Sequence, residues 1–215
     1  LRLSSGQRQS LTAAAQRYHE SLDEPTYQYL ETRMPADLDP AAQLDAVRTF
    51  RLGVVRDPIP GHEDYVGRLS IPYITPSGVV ALRFRCMAHE KCEGHGKYLD
   101  LPGQASRLYN VQALRDAGDR IYVTSGEIDA FSASLVGFPT VGVSGDTKWQ
   151  PHWSRNLEDF EEVIAVCDGD DSGRRFGEMI RSKVERVRTV HMPNGCDTNK
   201  ILVTQGIDAF KALVS

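Results

Sequence analysis

The sequence predicts an α/β fold (α+β overall). A helical and β-rich amino-terminal part spans residues 1–118, and a mainly parallel sheet covered by helices spans 119–215. Three observations predict it. Residues 5–50 carry apolar residues at helical spacing and no strand signal. Residues 52–85 read as short β-rich runs divided by turn residues. Beyond Arg120 the strand-like runs IYVT, TVGV, VIAVC and VRTVHM alternate with helix-like runs. That alternation implies parallel strands joined by helical crossovers.

The elements follow in order. LTAAAQRYHESL opens the helical part, and Asp23 with Pro25, then Asp39 with Pro40, mark two further helix starts. Leu52, Val54 and Val55 predict a strand ending before Pro58. RLSIPYITPSGVVALRFRC predicts a hairpin turning at Thr75-Pro76-Ser77-Gly78. Residues 86–106, rich in Gly, His and charge, predict the longest loop. In the second part DSGRRFGEMIRSKV predicts a helix, as do residues 198–205 and 207–214.

Composition bounds the function classes. The 215 residues are 40% hydrophobic and 25% charged, the balance of a folded globular chain. The net charge of −4 departs from the basic balance of a nucleic-acid binder, but it hides how the charge is distributed. No apolar stretch has the length of a membrane helix, and LRLSSGQRQS lacks the apolar core of a signal peptide. With four cysteines, the expectation is a reducing cytoplasm without disulfides. The chain begins with Leu1 and not Met, so the expectation is a start that is missing or altered.

Three acidic segments follow three predicted strands: Ser125-Gly126-Glu127-Ile128-Asp129, Asp168-Gly169-Asp170-Asp171-Ser172-Gly173, and Pro193-Asn194-Gly195-Cys196-Asp197. In open α/β sheets the chemistry collects at the carboxyl ends of the strands. Carboxylates converging there repel unless they bind cations or shift their pKa values. An all-oxygen set suits Mg²⁺, and two such ions can activate a hydroxyl and stabilise departing pyrophosphate. A single Asp-Gly-Asp turn could be a surface loop with a helix cap; three in β/α order point to a site.

The segment SGEIDAFSASLVGFPTVGVSG resembles the first TOPRIM motif of bacterial and phage DNA primases, in which a strand ends in Glu-Gly-x-x-Asp. CDGDDSGRRFGEMI resembles the second motif, Asp-x-Asp-x-x-Gly, and CDTNKILVTQGIDAFKALV the segment that follows. Upstream, YLETRMPADLDPAAQLDAVRTFRLGVV, the predicted hairpin and HGKYLDLPGQASRLYN are similar to the entry, strand hairpin and Lys-Tyr-Leu segment of a primase core. The resemblance implies a DNA primase core that makes short RNA primers on single-stranded DNA from ribonucleoside triphosphates. It implies Mg²⁺ or Mn²⁺, as two or more ions, at Asp129, Asp168, Asp170 and Asp197. A replicative helicase and a separate zinc-binding primase module are the implied protein partners, in the cytoplasm (the host's, for a phage protein). The family's leading Glu is Ser125 here, so the implied catalytic set is Glu127, Asp168 and Asp170 with Ser125 at the Glu position. A TOPRIM nuclease and a non-catalytic nucleic-acid- or helicase-binding module are the rival readings.

Arg83 and Arg85 lie two apart on a predicted strand, and Lys97 and Arg107 follow. In the primase resemblance these line a template and nucleotide groove where cations neutralise phosphates; otherwise Arg83 and Arg85 are the solvated face of an edge strand. Cys86, His89, Cys92 and His95 recur every three residues. Either they bind zinc, or they form a polar loop in which His95 and Lys97 touch nucleic acid.

Overall fold

Local rules set the helices of the amino-terminal part. A computed structural model describes residues 2–35, 38–88, 92, 94–145 and 148–215. Helix α1 (Ser5–Glu20) starts at a capping box in which Ser4 and Gln7 exchange side-chain and backbone hydrogen bonds. Before α2 (Glu24–Glu31) the Asp23 carboxylate accepts from the Thr26 amide at 3.1 Å. Helix α3 (Pro40–Thr49) has Asp39 as its N-cap, accepting from Ala41 and Ala42, with Pro40 in the first turn. Such caps are each worth about 0.5–2 kcal/mol.

The strands β1 (Gly53–Val54), β2 (Leu69–Thr75), β3 (Gly78–Arg85) and β4 (Tyr98–Asp100) form an antiparallel sheet in that order. The hairpin turns at the predicted residues, with Gly78 at φ +105°. Strand β4 corrects the reading of 86–106 as loop throughout: its three residues pair Arg83 with Asp100, Phe84 with Leu99 and Arg85 with Tyr98. Three residues are too few to show an alternation, and only the free edge of β3 recruits them. Helix α1 buries Ala14, Ala15 and Tyr18 with Val79, Leu82 and Phe84 of β3. Gly53 is where α1 meets β1; a Cβ there would lie 2.2 Å from the Tyr18 carbonyl oxygen. Tyr65 stacks on Phe84 with ring centroids 3.9 Å apart, and His62 is buried between Tyr18, Tyr65 and Phe84.

The second part comprises α4 (Ala113–Asp116), β5 (Arg120–Thr124), α5 (Glu127–Leu135), β6 (Thr140–Gly142), β7 (Glu162–Cys167), α6 (Asp171–Arg181), β8 (Val187–His191) and α7 (Thr198–Val214). A 3₁₀ segment, Pro151–Leu157, lies between β6 and β7. The sheet runs β6-β5-β7-β8 with every pairing parallel. Alternation along the strands builds two cores. Ile121, Val123, Val163, Ala165 and Cys167 pack with Phe176 and Ile180 of α6, and with Trp153 and Leu157. Tyr122, Ile164 and Val166 face the other way, toward Ala133 of α5 and Ile201, Leu202 and Phe210 of α7. Each fully buried large apolar side chain contributes about 1.5–3 kcal/mol. Helix α7 breaks at Gly206, φ +85°, which is where the sequence divides the two predicted segments.

The chain therefore forms two compact units, Leu1–Glu31 with Asp39–Ala105, and Thr32–Leu38 with Ser106–Ser215. No helix among the described residues is long and apolar enough to cross a membrane.

Candidate active site

The three acidic segments all emerge at the carboxyl ends of the parallel strands. Past β5, Ser125 donates its hydroxyl to Asp168 Oδ2 at 3.2 Å, so the first two strand ends touch. Gly126 then caps α5, and a Cβ on it would stand 3.0 Å from Asp129 Oδ2. The Asp129 carboxylate thus folds back over the strand end. Its Oδ1 accepts the Asn199 amide of α7 at 2.9 Å. Asn199 is itself buried, and its side chain donates to the Arg33 carbonyl and to Ser132 Oγ, each at 2.7 Å. A helix N-terminus on the far strand therefore anchors the acid of the first motif.

Asp168 is the first residue past β7. The next turn is closed by backbone alone: Gly169 N–H donates to the Cys196 carbonyl at 2.8 Å, and Gly195 N–H to the Gly169 carbonyl at 2.9 Å. A Cβ on Gly169 would lie 2.0 Å from the Pro193 carbonyl oxygen. At Gly173 a Cβ would lie equally close to the Asp168 carbonyl oxygen. The Asp-x-Asp-x-x-Gly spacing is thus a steric demand, with glycine wherever one strand end passes over another chain segment. Asp170 caps α6 by accepting from Gly173 N–H at 2.8 Å, and Asp197 caps α7 by accepting from Lys200 N–H at 2.6 Å. Lys200 Nζ returns to the Gly195 carbonyl at 3.0 Å.

Convergence is looser than the sequence predicts. Among the described residues, no three of these carboxylates have ligand atoms all within 4.8 Å of one another. Capping is the physical reason: Asp170 and Asp197 each turn one oxygen to the amides of their own helices, and Asp129 turns one to α7. Glu127 lies inside the unit, 1% exposed. The donor set still fits Mg²⁺, which is commonly bound by one or two carboxylates, several waters and substrate phosphates rather than by a protein cage. Asp129, Asp168 and Asp197 are half-buried and Asp170 is exposed, so the edge is open to a phosphate-bearing ligand.

The basic residues are distributed over both units. In the amino-terminal unit Arg83 pairs with Asp100 at 3.2 Å and lies 4.5 Å over the Tyr98 ring. Arg85 is buried, donating to Tyr29 Oη at 2.6 Å and to Tyr98 Oη. Burial works against its charge, but Tyr98 and Tyr29 outweigh burial and raise its pKa. The shared face is present, then, but Arg85 is enclosed by tyrosines rather than solvated. Lys97 is exposed, and Arg107, half-buried, belongs to the other unit.

Cys86, Cys92 and His95 come together with ligand atoms all within 4.8 Å; His89 lies outside the described residues. Burial raises the Cys86 thiol, but the Ala88 amide, Cys92, Arg68 and Arg85 together hold it below the usual range. Cys167 is different: burial pushes its thiol up to about 12, consistent with a small apolar core residue. Sequence reasoning missed Asn199 and Lys200. The Asp-x-Asn spacing after Cys196 was the available signal, but it does not reveal which acid the asparagine serves.

A Toprim-like family matches residues 122–202. The Gene 57 protein of Mycobacterium phage D29 is 37% identical over 150 residues, covering 67% of this chain and 96% of that protein. The DNA primase of Pseudomonas aeruginosa is 25% identical over 135 residues, 55% of this chain; the chain spans about a fifth of that protein, 20%. The fold matches the RNA polymerase domain of Mycobacterium tuberculosis primase DnaG with TM-score 0.77 at 23% identity, over 98% of this chain and 83% of that one.

Proposed function

Because the chain belongs to the family of TOPRIM-containing DNA primase catalytic cores, we propose that it synthesises short RNA primers on single-stranded DNA from ribonucleoside triphosphates. One observation carries the reading: three acidic segments at the carboxyl edge of one parallel sheet, in the order and spacing of a primase core. Asp129, Asp168, Asp170 and Asp197 would hold Mg²⁺ or Mn²⁺, two ions or more, which on binding would neutralise triphosphate charge and make a primer 3′-hydroxyl a better nucleophile.

The chain's own residues do the rest. Asn199 orients Asp129, and the backbone link between Gly169 and Cys196 sets Asp168 and Asp170 against Asp197. Ser125 orients Asp168 by hydrogen bond but carries no carboxylate to take up a proton. Glu127 is the remaining acid of that segment; its burial supports a supporting rather than a proton-accepting role. Arg83, Lys97 and Arg107 would neutralise template or nucleotide phosphates, with Arg85 holding Tyr98 in place beside Arg83. Residues 1–118 would then serve the template and 119–215 the chemistry. A replicative helicase and a separate zinc-binding primase module complete the proposed assembly, in the cytoplasm.

Ser125 favours a second reading, a nucleic-acid- or helicase-binding module without turnover. Primer synthesis from labelled ribonucleotides on mixed single-stranded templates separates the two. Product from the unaltered chain, lost in Asp168→Asn with template binding retained, supports the enzyme. Product only after Ser125→Glu identifies a core disabled at one position. No product from either supports the binding module, and metal-dependent loss of labelled DNA without nucleotides supports a nuclease.

A further inference from the structure

The β3–β4 connection has an organisation that primer synthesis does not call for. Past Arg85 the ladder gains one more bond, Cys86 N–H to the Lys97 carbonyl at 2.8 Å. The chain therefore leaves the sheet at Cys86 and re-enters it at Lys97, in one connection. Inside it Cys86 Sγ, Cys92 Sγ and a His95 ring nitrogen lie within 4.8 Å of one another. The two sulfurs are half-buried, although the histidine is exposed.

We propose that Cys86, Cys92 and His95 form a zinc site that fastens the loop between β3 and β4, and with it Lys97. Two thiolates and an imidazole are a soft donor set, which selects zinc and not the hard Mg²⁺ of the acidic edge. Tetrahedral zinc with bonds of about 2.0–2.3 Å places its ligand atoms about 3.5–3.8 Å apart, so the three need to close by at most about 1 Å. The surroundings are already arranged for it. Arg68, 8% exposed, donates to the Gly96 carbonyl at 3.0 Å and reaches His95 Nδ1 at 3.0 Å. It brings positive charge to the thiolates and pins the backbone next to the ligand. His95 Nδ1 also lies 3.3 Å from the Gly96 carbonyl. With Nε2 on the ion, Nδ1 would carry the proton and donate to that carbonyl, the outer partner that zinc-bound histidines usually have, and Arg68, which can only donate, would give up Nδ1 and keep its bond to the Gly96 carbonyl. Solvent would fill the fourth position. Binding releases the thiol protons and forms two Zn–S bonds and one Zn–N bond, with no change of oxidation state.

The same two sulfurs could instead make a redox disulfide, and the experiment separates the cases. The reduced full chain is titrated with Co²⁺ and then Zn²⁺, following the thiolate-to-cobalt charge-transfer band, which carboxylates cannot give. The expected result is a band that saturates at one equivalent and is bleached by zinc. It should be absent from Cys86→Ser/Cys92→Ser. In His95→Ala, affinity should fall by at least the roughly 10–100-fold that loss of an outer-shell partner costs. Zinc should also slow tryptic cleavage at Lys97. No band from the reduced chain overturns the site, as does a band that survives in the double cysteine variant. Oxidative loss of both thiols without cobalt binding identifies the redox pair instead. Zinc binding with unchanged cleavage at Lys97 overturns the fastening role. The readouts are independent of primer synthesis.

Discussion

Replacing Ser125 by glutamate tests the architecture of the acidic edge without relying on activity. The serine hydroxyl now donates to Asp168 Oδ2 from 3.2 Å. A carboxylate at that position puts two like charges about 4 Å apart, a repulsion of about 1 kcal/mol in bulk water and about 4 kcal/mol at the effective permittivity near a protein surface. Both residues are half-buried, so a value between these limits applies, and the lost hydrogen bond adds about 1 kcal/mol. A net cost of about 2–5 kcal/mol lowers Tm by about 4–20 °C, at the roughly 2–4 °C per kcal/mol of chains this long. A divalent cation between the carboxylates converts the repulsion into attraction. Ser125→Glu should therefore melt well below the parent chain in EDTA and recover most of the difference in millimolar Mg²⁺, whereas the parent gains less. Scanning calorimetry in the two buffers reads this directly. An unchanged Tm in EDTA, or equal Mg²⁺ gains for both chains, would refute the shared charge site.

Gly169→Ala drives a Cβ into the Pro193 carbonyl; its cost should reach the upper end of the roughly 0.5–3 kcal/mol range of single substitutions, and urea unfolding indistinguishable from the parent would count against the interlocked turn. Arg85→Met leaves the Tyr29 and Tyr98 hydroxyls without their shared donor. The expected loss is about 1–3 kcal/mol, and a loss below about 0.5 kcal/mol would show that the cage is not structural. Burial holds the His62 imidazole below its usual range, with Glu63 pulling it upward. The folded state then favours the neutral ring: its contribution is complete above about pH 6.5 and is lost as pH falls through the lower folded value. His62→Gln should flatten that acid limb of the stability profile, and an identical limb would assign it to other groups.

The sequence made some elements legible and hid others for physical reasons. Asp39-Pro40, the Thr75–Gly78 turn and the break at residue 206 were readable because each rests on an intrinsic backbone preference. The parallel sheet was readable because its central strands, β5 and β7, place apolar residues on both faces. Strand β4 was not, because only a neighbour's free edge defines it. The acidic residues of the candidate site were legible by type and spacing, but their partners were not. That Asn199 holds Asp129, or that Arg85 sits between two tyrosines, depends on contacts between residues 70 and 56 positions apart. Glu127 shows the same limit: its residue type after β5 was legible, its burial was not.

The turn after β7 and the turn after β8 exchange two amide–carbonyl bonds through Gly169, Gly195 and Cys196, with no side chain involved. Neither turn has an independent shape, so the two behave as one inheritable part. A transplant of the second motif from a relative should fail unless the residues around 193–196 travel with it. Over a lineage, changes at 169 should be tolerated only alongside compensating changes there. A length change in either turn would displace Asp168 and Asp197 together, so insertions accumulated by descent should be found elsewhere on the sheet's rim.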